Sequence, residues 1–255
     1  LLKLNDPVSK YIPSFAGTMV GVEGKADNGN PTLTMERVRR PVTVEDLLRH
    51  TSGITYGFYG KSLVRAAYAD ADLYADDIDN KLLADKVAAI PLAEQPGTVW
   101  DYGHSIDVLG RVIEVVSGKS LYEFEKQRLF DPLGMTDTAF YVADSAKYRL
   151  IAEPLPSDTD FRTGNAPDPR KAPKWQSGGG GLLSTAGDIA RFAQMILNGG
   201  LLDGQLYLKP ETFAAITTNQ IEPQGPINRG QFYFPGDGFG FGLGFAIRTE
   251  AGEKN

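Results

Sequence analysis

Between Ser105 and Gly118 the apolar residues Ile106, Leu109, Val112, Ile113 and Val116 recur at steps of three and four. That spacing lines one face of an α-helix and obliges the chain to bury it against something. Gly118 supplies the stop. The run before the helix, Pro96-Gly97-Thr98-Val99-Trp100-Asp101-Tyr102-Gly103-His104, breaks the backbone with Pro and Gly and marks a turn. Tyr102 therefore stands where a loop meets a helix, a place where a side chain is held by the rigid element and still reaches a cleft. A phenol there can act as a general base, and it can also be a half-buried aromatic with a satisfied hydroxyl.

Other elements are readable around this one. Thr43, three positions before Asp46, opens a short helix that ends at Thr51-Ser52-Gly53. The stretch from Ile54 to Gly60 holds Tyr56, Phe58 and Tyr59 among glycines and reads as an aromatic loop. Leu82 to Ile90 is predicted helical, ending before Pro91, and Ser120 with Glu123 forms a capping box for a helix that should stop at Asp131-Pro132. From Ala143 to Lys174 the pattern dissolves into an irregular segment expected to carry some strand. Trp175-Gln176-Ser177 then leads into Gly178 to Gly181, which permit close backbone approach. Thr185 and Asp188 cap a helix with Ile189, Phe192 and Ile196 on its face, and Pro210 opens another. Phe239, Phe241, Leu243 and Phe245 alternate with Gly240, Gly242 and Gly244, the period of a strand with one bare face on which something must pack tightly.

The chemistry open to the chain is narrow. It has no cysteine and only two histidines, His50 and His104, with no His-Glu-x-x-His pattern, so a thiol nucleophile is excluded and no metal or cofactor is expected. The acidic run from Asp70 to Asp79 lacks the spacing of a calcium loop and reads as a solvated face. No Gly-x-Ser-x-Gly elbow, dinucleotide fingerprint or phosphate loop occurs. A net charge of −6, with Arg37, Arg39 and Arg40 as the densest basic cluster, argues against a nucleic-acid surface and for a small-molecule partner. No apolar run approaches the roughly 18 residues of a membrane span. The expectation is a soluble chain, compatible with a cytoplasmic location, whose compartment stays open.

Taken in order, several segments resemble one family, the serine β-lactamase-like hydrolases that include class C β-lactamases, DD-peptidases and family VIII carboxylesterases. The matching pieces are Leu4 to Pro13, Val44 to Gly53 with its Leu-Leu-x-His-Thr-Ser-Gly core, Pro96 to Tyr102, Gly110 to Gly118, Phe130 to Met135, and Gly178 to Gly200. The resemblance implies an α/β sandwich, an antiparallel sheet flanked by helices, with a helical region carrying Tyr102 across the cleft. It implies acyl transfer, in which a serine of Ser-x-x-Lys attacks a carbonyl and is activated by its lysine and a tyrosine, here Tyr102. An unperturbed phenol, near 10, needs a neighbouring ammonium to serve at neutral pH.

No Ser-x-x-Lys occurs from Leu1 to Asn255. The family places it just before the segment resembling Leu4 to Pro13, and its third motif after the strand resembling Phe239 to Arg248. The expectation is a single β-lactamase-like domain over residues 1–255, incomplete at both ends and inactive alone. Lactamases and peptidases of this kind read Tyr-x-Asn where this chain reads Tyr102-Gly103-His104, which favours esters. His104 either contacts substrate and tunes Tyr102 or serves as a cap or surface group. Tyr56, Tyr59 and Trp175, with Phe58, either line an apolar acyl or alcohol pocket or pack in the core. Gly178 and Gly179 either bring backbone to the cleft or form a tight loop before a helix. The reading is a serine carboxylesterase acting on a small-molecule ester. The alternatives are a β-lactamase or DD-peptidase acting on amides, and a non-catalytic binding protein of the same fold.

Overall fold

The computed structural model describes residues 2–155, 157, 168–221, 227–230, 233, 235–236 and 238–249. Two short 3-10 turns, Val8–Lys10 and Pro13–Gly17, lead into a hairpin of β1 (Met19–Lys25) and β2 (Pro31–Arg37), antiparallel with Val22 opposite Thr34. Helices α1 (Val44–Leu48), α2 (Leu63–Asp70) and α3 (Asn80–Ala89) follow. Then come β3 (Val99–Trp100), α4 (Ser105–Ser117), α5 (Leu121–Glu125) and α6 (Asp131–Leu133). After a long connection the chain forms α7 (Ala186–Leu197), β4 (Leu201–Leu202), β5 (Gln205–Leu206) and α8 (Pro210–Thr217). It ends in β6 (Asn228–Arg229), β7 (Phe239–Phe241) and β8 (Ala246–Arg248). Among the described residues the sheet consists of four two-stranded pieces, three antiparallel and one, β3 with β6, parallel. Among the described residues no helix is long and apolar enough to cross a membrane.

The amphipathic face read between Ser105 and Gly118 enters the main core through Ile106, Leu109, Val112 and Ile113, while Val116, 48% exposed, falls off it and Val108 takes a place on it. α4 packs against α1 and α3, and Val108 and Val112 join Leu47, Leu83 and Val87 in one core, each with no exposed surface. Burying side chains of this size contributes about 1.5–3 kcal/mol apiece. Gly118 closes the helix at φ +68, a left-handed turn that glycine takes without strain. Thr43 caps α1 in a reciprocal box with Asp46, and α1 ends as His50 turns left-handed at φ +56.

Four local expectations are corrected. The helix from Ser120 runs through Asp131-Pro132 to Gly134. A π turn over Lys126–Phe130 widens the backbone ahead of Pro132, so the ring meets no i−4 ladder bond it would break. Ile189 is exposed, because the inward stripe of α7 is Asp188 and Met195, both buried, with the partly buried Phe192 between them, at steps of four and three. The expected cap is present, Thr185 Oγ1 accepting from the Asp188 N–H at 3.2 Å, while the Asp188 carboxylate accepts from the Asp137 N–H and the Thr138 hydroxyl. Between Ala143 and Lys174 the described residues hold a 3-10 turn, Ser145–Leu150, and no strand; residues 156 and 158–167 of that stretch lie outside the described set. Phe239 to Phe245 is not one strand, since Gly244 at φ +86 turns the chain back into β8. The bare face does pack tightly: a Cβ on Gly240 would stand 2.3 Å from the Asn219 side chain, and one on Gly242 2.2 Å from the Ile216 carbonyl oxygen.

Candidate active site

β3 delivers the Trp100–His104 segment to the end of α4. Trp100, 1% exposed, anchors it by packing with Ile221 and Phe241, and the Asp101 N–H donates to the His50 carbonyl at 3.0 Å. Gly103 then lies flat on the Ile54-Thr55 backbone, where a Cβ would come within 2.4 Å of the Thr55 Cα. Only glycine allows the two loops this approach. The half-buried Tyr102 and the buried His104, on either side of it, face a cleft of about 240 Å³.

Aromatic rings form the wall of this cleft. Tyr56 stacks on Phe58 at 4.7 Å and meets Tyr102 edge-on at 5.6 Å and His104 at 4.5 Å. Tyr59 meets Tyr56 at 5.7 Å, and Tyr74 and Trp175, 5.7 Å apart, both lie beside His104, at 5.8 and 6.4 Å. The floor is polar and fixed by Asp107, in the first turn of α4. Its Oδ2 lies 3.0 Å from His104 Nδ1, while Oδ1 accepts from the Ser177 hydroxyl and from the Gly179 N–H at 3.2 Å. A carboxylate can only accept, so His104 carries its proton on Nδ1 and turns Nε2 toward the Tyr74 hydroxyl, 3.5 Å away. His104 stands at the N-cap position of α4, but its side chain makes no cap bond and, 1% exposed, it is no surface group.

Burial decides the electrostatics. It raises the Tyr102 phenol above its ordinary value, with smaller contributions in the same direction from Tyr59 and Asp107. It also raises Tyr56 strongly and pushes Tyr74 up to about 12. His50, behind Tyr102, is held down at about 4 by the same loss of solvent. At neutral pH these groups are uncharged.

Tyr102, Tyr56, Tyr59, His104, Trp175 and Gly179 therefore meet in one place. Gly178 does not join them; it packs against α4, where a Cβ would stand 2.4 Å from the Ile106 carbonyl oxygen. Sequence reasoning missed Asp107, Tyr74 and Ser177 as cleft residues. An acid three positions after His104 in the first helical turn was the available signal for Asp107. Tyr74 sits inside the acidic run and gave none. Among the described residues no group of three or more histidines and carboxylates could hold a metal. A separate groove of about 290 Å³ is lined by Lys119, Glu123, Lys126, Gln127 and Asp131, without aromatic wall or nucleophile.

Helices packed around α4, with a phenol-walled cleft at its N-terminal end, define an α/β protein of the β-lactamase/transpeptidase-like class. The chain belongs to the beta-lactamase family, whose model matches residues 1–252. It is 33% identical over 248 residues to Protein Rv1367c of Mycobacterium tuberculosis, covering 95% of this chain and 60% of that protein. It is 33% identical over 267 residues to the lovastatin esterase of Penicillium rubens, covering 98% of this chain and 64% of that enzyme. The unliganded, selenomethionyl structure of simvastatin synthase (LovD) from Aspergillus terreus superposes with a TM-score of 0.70 at 22% identity, covering 97% of this chain and 62% of that one. The chain thus spans somewhat under two thirds of the length of these three proteins. Relatives in the family are hydrolases or acyltransferases, among them esterases and a D-alanyl-D-alanine carboxypeptidase described as putative in its own name.

Proposed function

We propose that these residues form the central part of a serine hydrolase that cleaves carboxylic esters through an acyl-enzyme, with Tyr102 as general base. The observation that carries this reading is the convergence of Tyr102 with Tyr56, Tyr59, His104 and Trp175 on one cleft. In this reading Tyr102, as phenolate, takes the proton of the attacking serine hydroxyl. The serine oxygen bonds to the ester carbonyl carbon, and Tyr102 returns the proton to the departing alcohol. Water then attacks the acyl-serine by the same route and releases the acid. Because burial raises the Tyr102 phenol, the step needs an ammonium within roughly 4–6 Å. No serine here has a lysine three positions on, so the proposal assigns both groups to a part of the relatives' length that these residues do not represent.

Preference for esters over amides is supported by His104. Its Nδ1 is committed to Asp107, leaving one ring nitrogen where a carboxamide would offer both a donor and an acceptor. The lovastatin esterase, at 33% identity, supports the same direction. The test is a panel of short-chain aryl esters and nitrocefin given to the full-length protein. Ester turnover with nitrocefin untouched is expected. Faster nitrocefin hydrolysis would favour the amide reading, and turnover of neither would favour a binding protein. These residues by themselves should take up no fluorophosphonate label.

A further inference from the structure

Arg65 lies outside the cleft, yet its guanidinium joins the two segments that form it. Nη2 donates to Asp101 Oδ2 at 2.8 Å, next in sequence to Tyr102. Nη1 donates to the Thr55 hydroxyl and to the Tyr56 carbonyl, at 3.4 Å for the latter, where the aromatic loop begins. The pair is largely withdrawn from water, the Arg65 side chain 13% exposed and that of Asp101 5%. The backbones around it fit as closely. A Cβ on Gly57 would stand 2.4 Å from the Ala69 nitrogen of α2, and one on Gly103 2.4 Å from the Thr55 Cα. Helix α2, the aromatic loop and the Tyr102 segment are therefore locked together around a single planar fork.

A buried ion pair contributes little net stability, because desolvation offsets most of the attraction, whereas its directional bonds fix geometry. We propose that Arg65 is a positioning residue: through Asp101 and the Thr55-Tyr56 backbone it sets the Tyr102 phenol against the Tyr56 wall without touching substrate. The proposal rests on the reading of Tyr102 as the base of an ester hydrolase. Lysine cannot replace the fork, since one ammonium is a point charge and does not span Asp101 and the loop in the same fixed geometry.

The test uses the full-length protein and three variants. Arg65→Met should lower kcat/KM for an aryl ester by about 100-fold, the scale of a small misplacement of reacting groups. It also strands the Asp101 carboxylate and lowers the melting temperature. Arg65→Met combined with Asp101→Asn removes that stranded charge, so the melting temperature should return toward wild type while kcat/KM stays low. Arg65→Lys keeps the charge and should show a raised KM with a smaller loss in kcat. Recovery of activity together with melting temperature in the double variant would overturn the proposal, as would a folded Arg65→Met protein with kcat and KM within about twofold of wild type. If the wild type turns over no ester, the functional reading fails by itself, and the clamp is then judged by amide hydrogen exchange. Faster exchange in 54–59 and 101–104 together in the double variant supports it, and unchanged exchange in both refutes it.

Discussion

The imidazole of His50 lies 4.6 Å, centroid to centroid, from the ring of Tyr102, tilted by 41°. It also meets Trp100 and Phe241 at 5.8 Å each. His50 is 2% exposed and its Nδ1 has no hydrogen-bond partner among the described residues, so it behaves as an uncharged plate behind the phenol. Its backbone carbonyl meanwhile receives the Asp101 N–H. One residue thus supports the Tyr102 segment through both ring and main chain.

Stability should therefore depend on pH through His50, and in a sense opposite to that of Glu125. Between about 4 and 6.5 the unfolded chain binds a proton at His50 that the folded chain refuses. Stability from this source is complete above 6.5 and falls by roughly 3 kcal/mol as pH drops to 4. Burial raises Glu125 from 4.5 to about 7, so between those values the folded chain binds the extra proton, and stability from this source grows as pH falls. The two partly offset each other in the wild type. His50→Asn, which suits the left-handed backbone, should leave stability rising as pH falls from 7 to 4.5. Glu125→Gln should leave it falling from 6.5 to 4. Denaturant midpoints across this range measure both slopes, and equal slopes in the two variants would contradict the assignment.

Asp107 is the fastener of the cleft floor, and its two oxygens have separable duties. Asp107→Ala removes the partners of His104, Ser177 and Gly179 at once and should cost about 2–4 kcal/mol in urea denaturation. Asp107→Asn should cost less than half of that. Its amide oxygen can still accept from Ser177 and Gly179, while its NH2 donates to His104 if the imidazole moves its proton to Nε2. Nitrogen NMR of His104 would register the change of tautomer, and an unchanged Nδ1–H signal would rule it out.

Gly103→Ala tests whether the two loops need their contact. The new methyl would meet backbone, the Thr55 Cα at 2.4 Å and the Ile54 carbonyl oxygen at 2.5 Å, and neither can swing away. A destabilisation of about 1–3 kcal/mol is expected from overpacking, with loss of ester turnover exceeding the loss of folded protein. A wild-type melting temperature would mean that the loops separate freely.

The parts of this arrangement that were legible in the sequence are those written in local pattern. The period of three and four gave away α4, and Thr43 and Ser120 marked their helix starts through side chains that reach only three residues. Tyr102 was visible because Pro, Gly and a helix face surround it. What stayed hidden depends on contacts between distant residues. Ser177 meets Asp107 across 70 positions, and Arg65 meets Asp101 across 36; no spacing rule connects them. Two-residue strands such as Val99–Trp100 carry no alternation to detect. The bare glycine face of β7 announced a close neighbour without saying that it would be the Ile216–Asn219 segment at the end of α8.

Tyr102→Phe isolates the phenol oxygen from everything the ring does. The ring contributes packing to His50, Tyr56 and Trp100, and phenylalanine keeps all three contacts, so the melting temperature should move little. If the oxygen is the base, kcat for aryl esters should drop by about 10²–10⁴-fold in the full-length protein with KM nearly unchanged, because proton transfer is lost and the binding wall is intact. The wild-type pH profile should then lose its dependence on one deprotonated group in the variant. The position of that group's apparent pKa is itself informative. Burial, Tyr59 and Asp107 all push Tyr102 upward, so an apparent pKa below 10 in the wild type would require an ammonium beside it in the complete enzyme. An unchanged kcat in Tyr102→Phe would remove Tyr102 from the chemistry and leave the cleft as a binding surface.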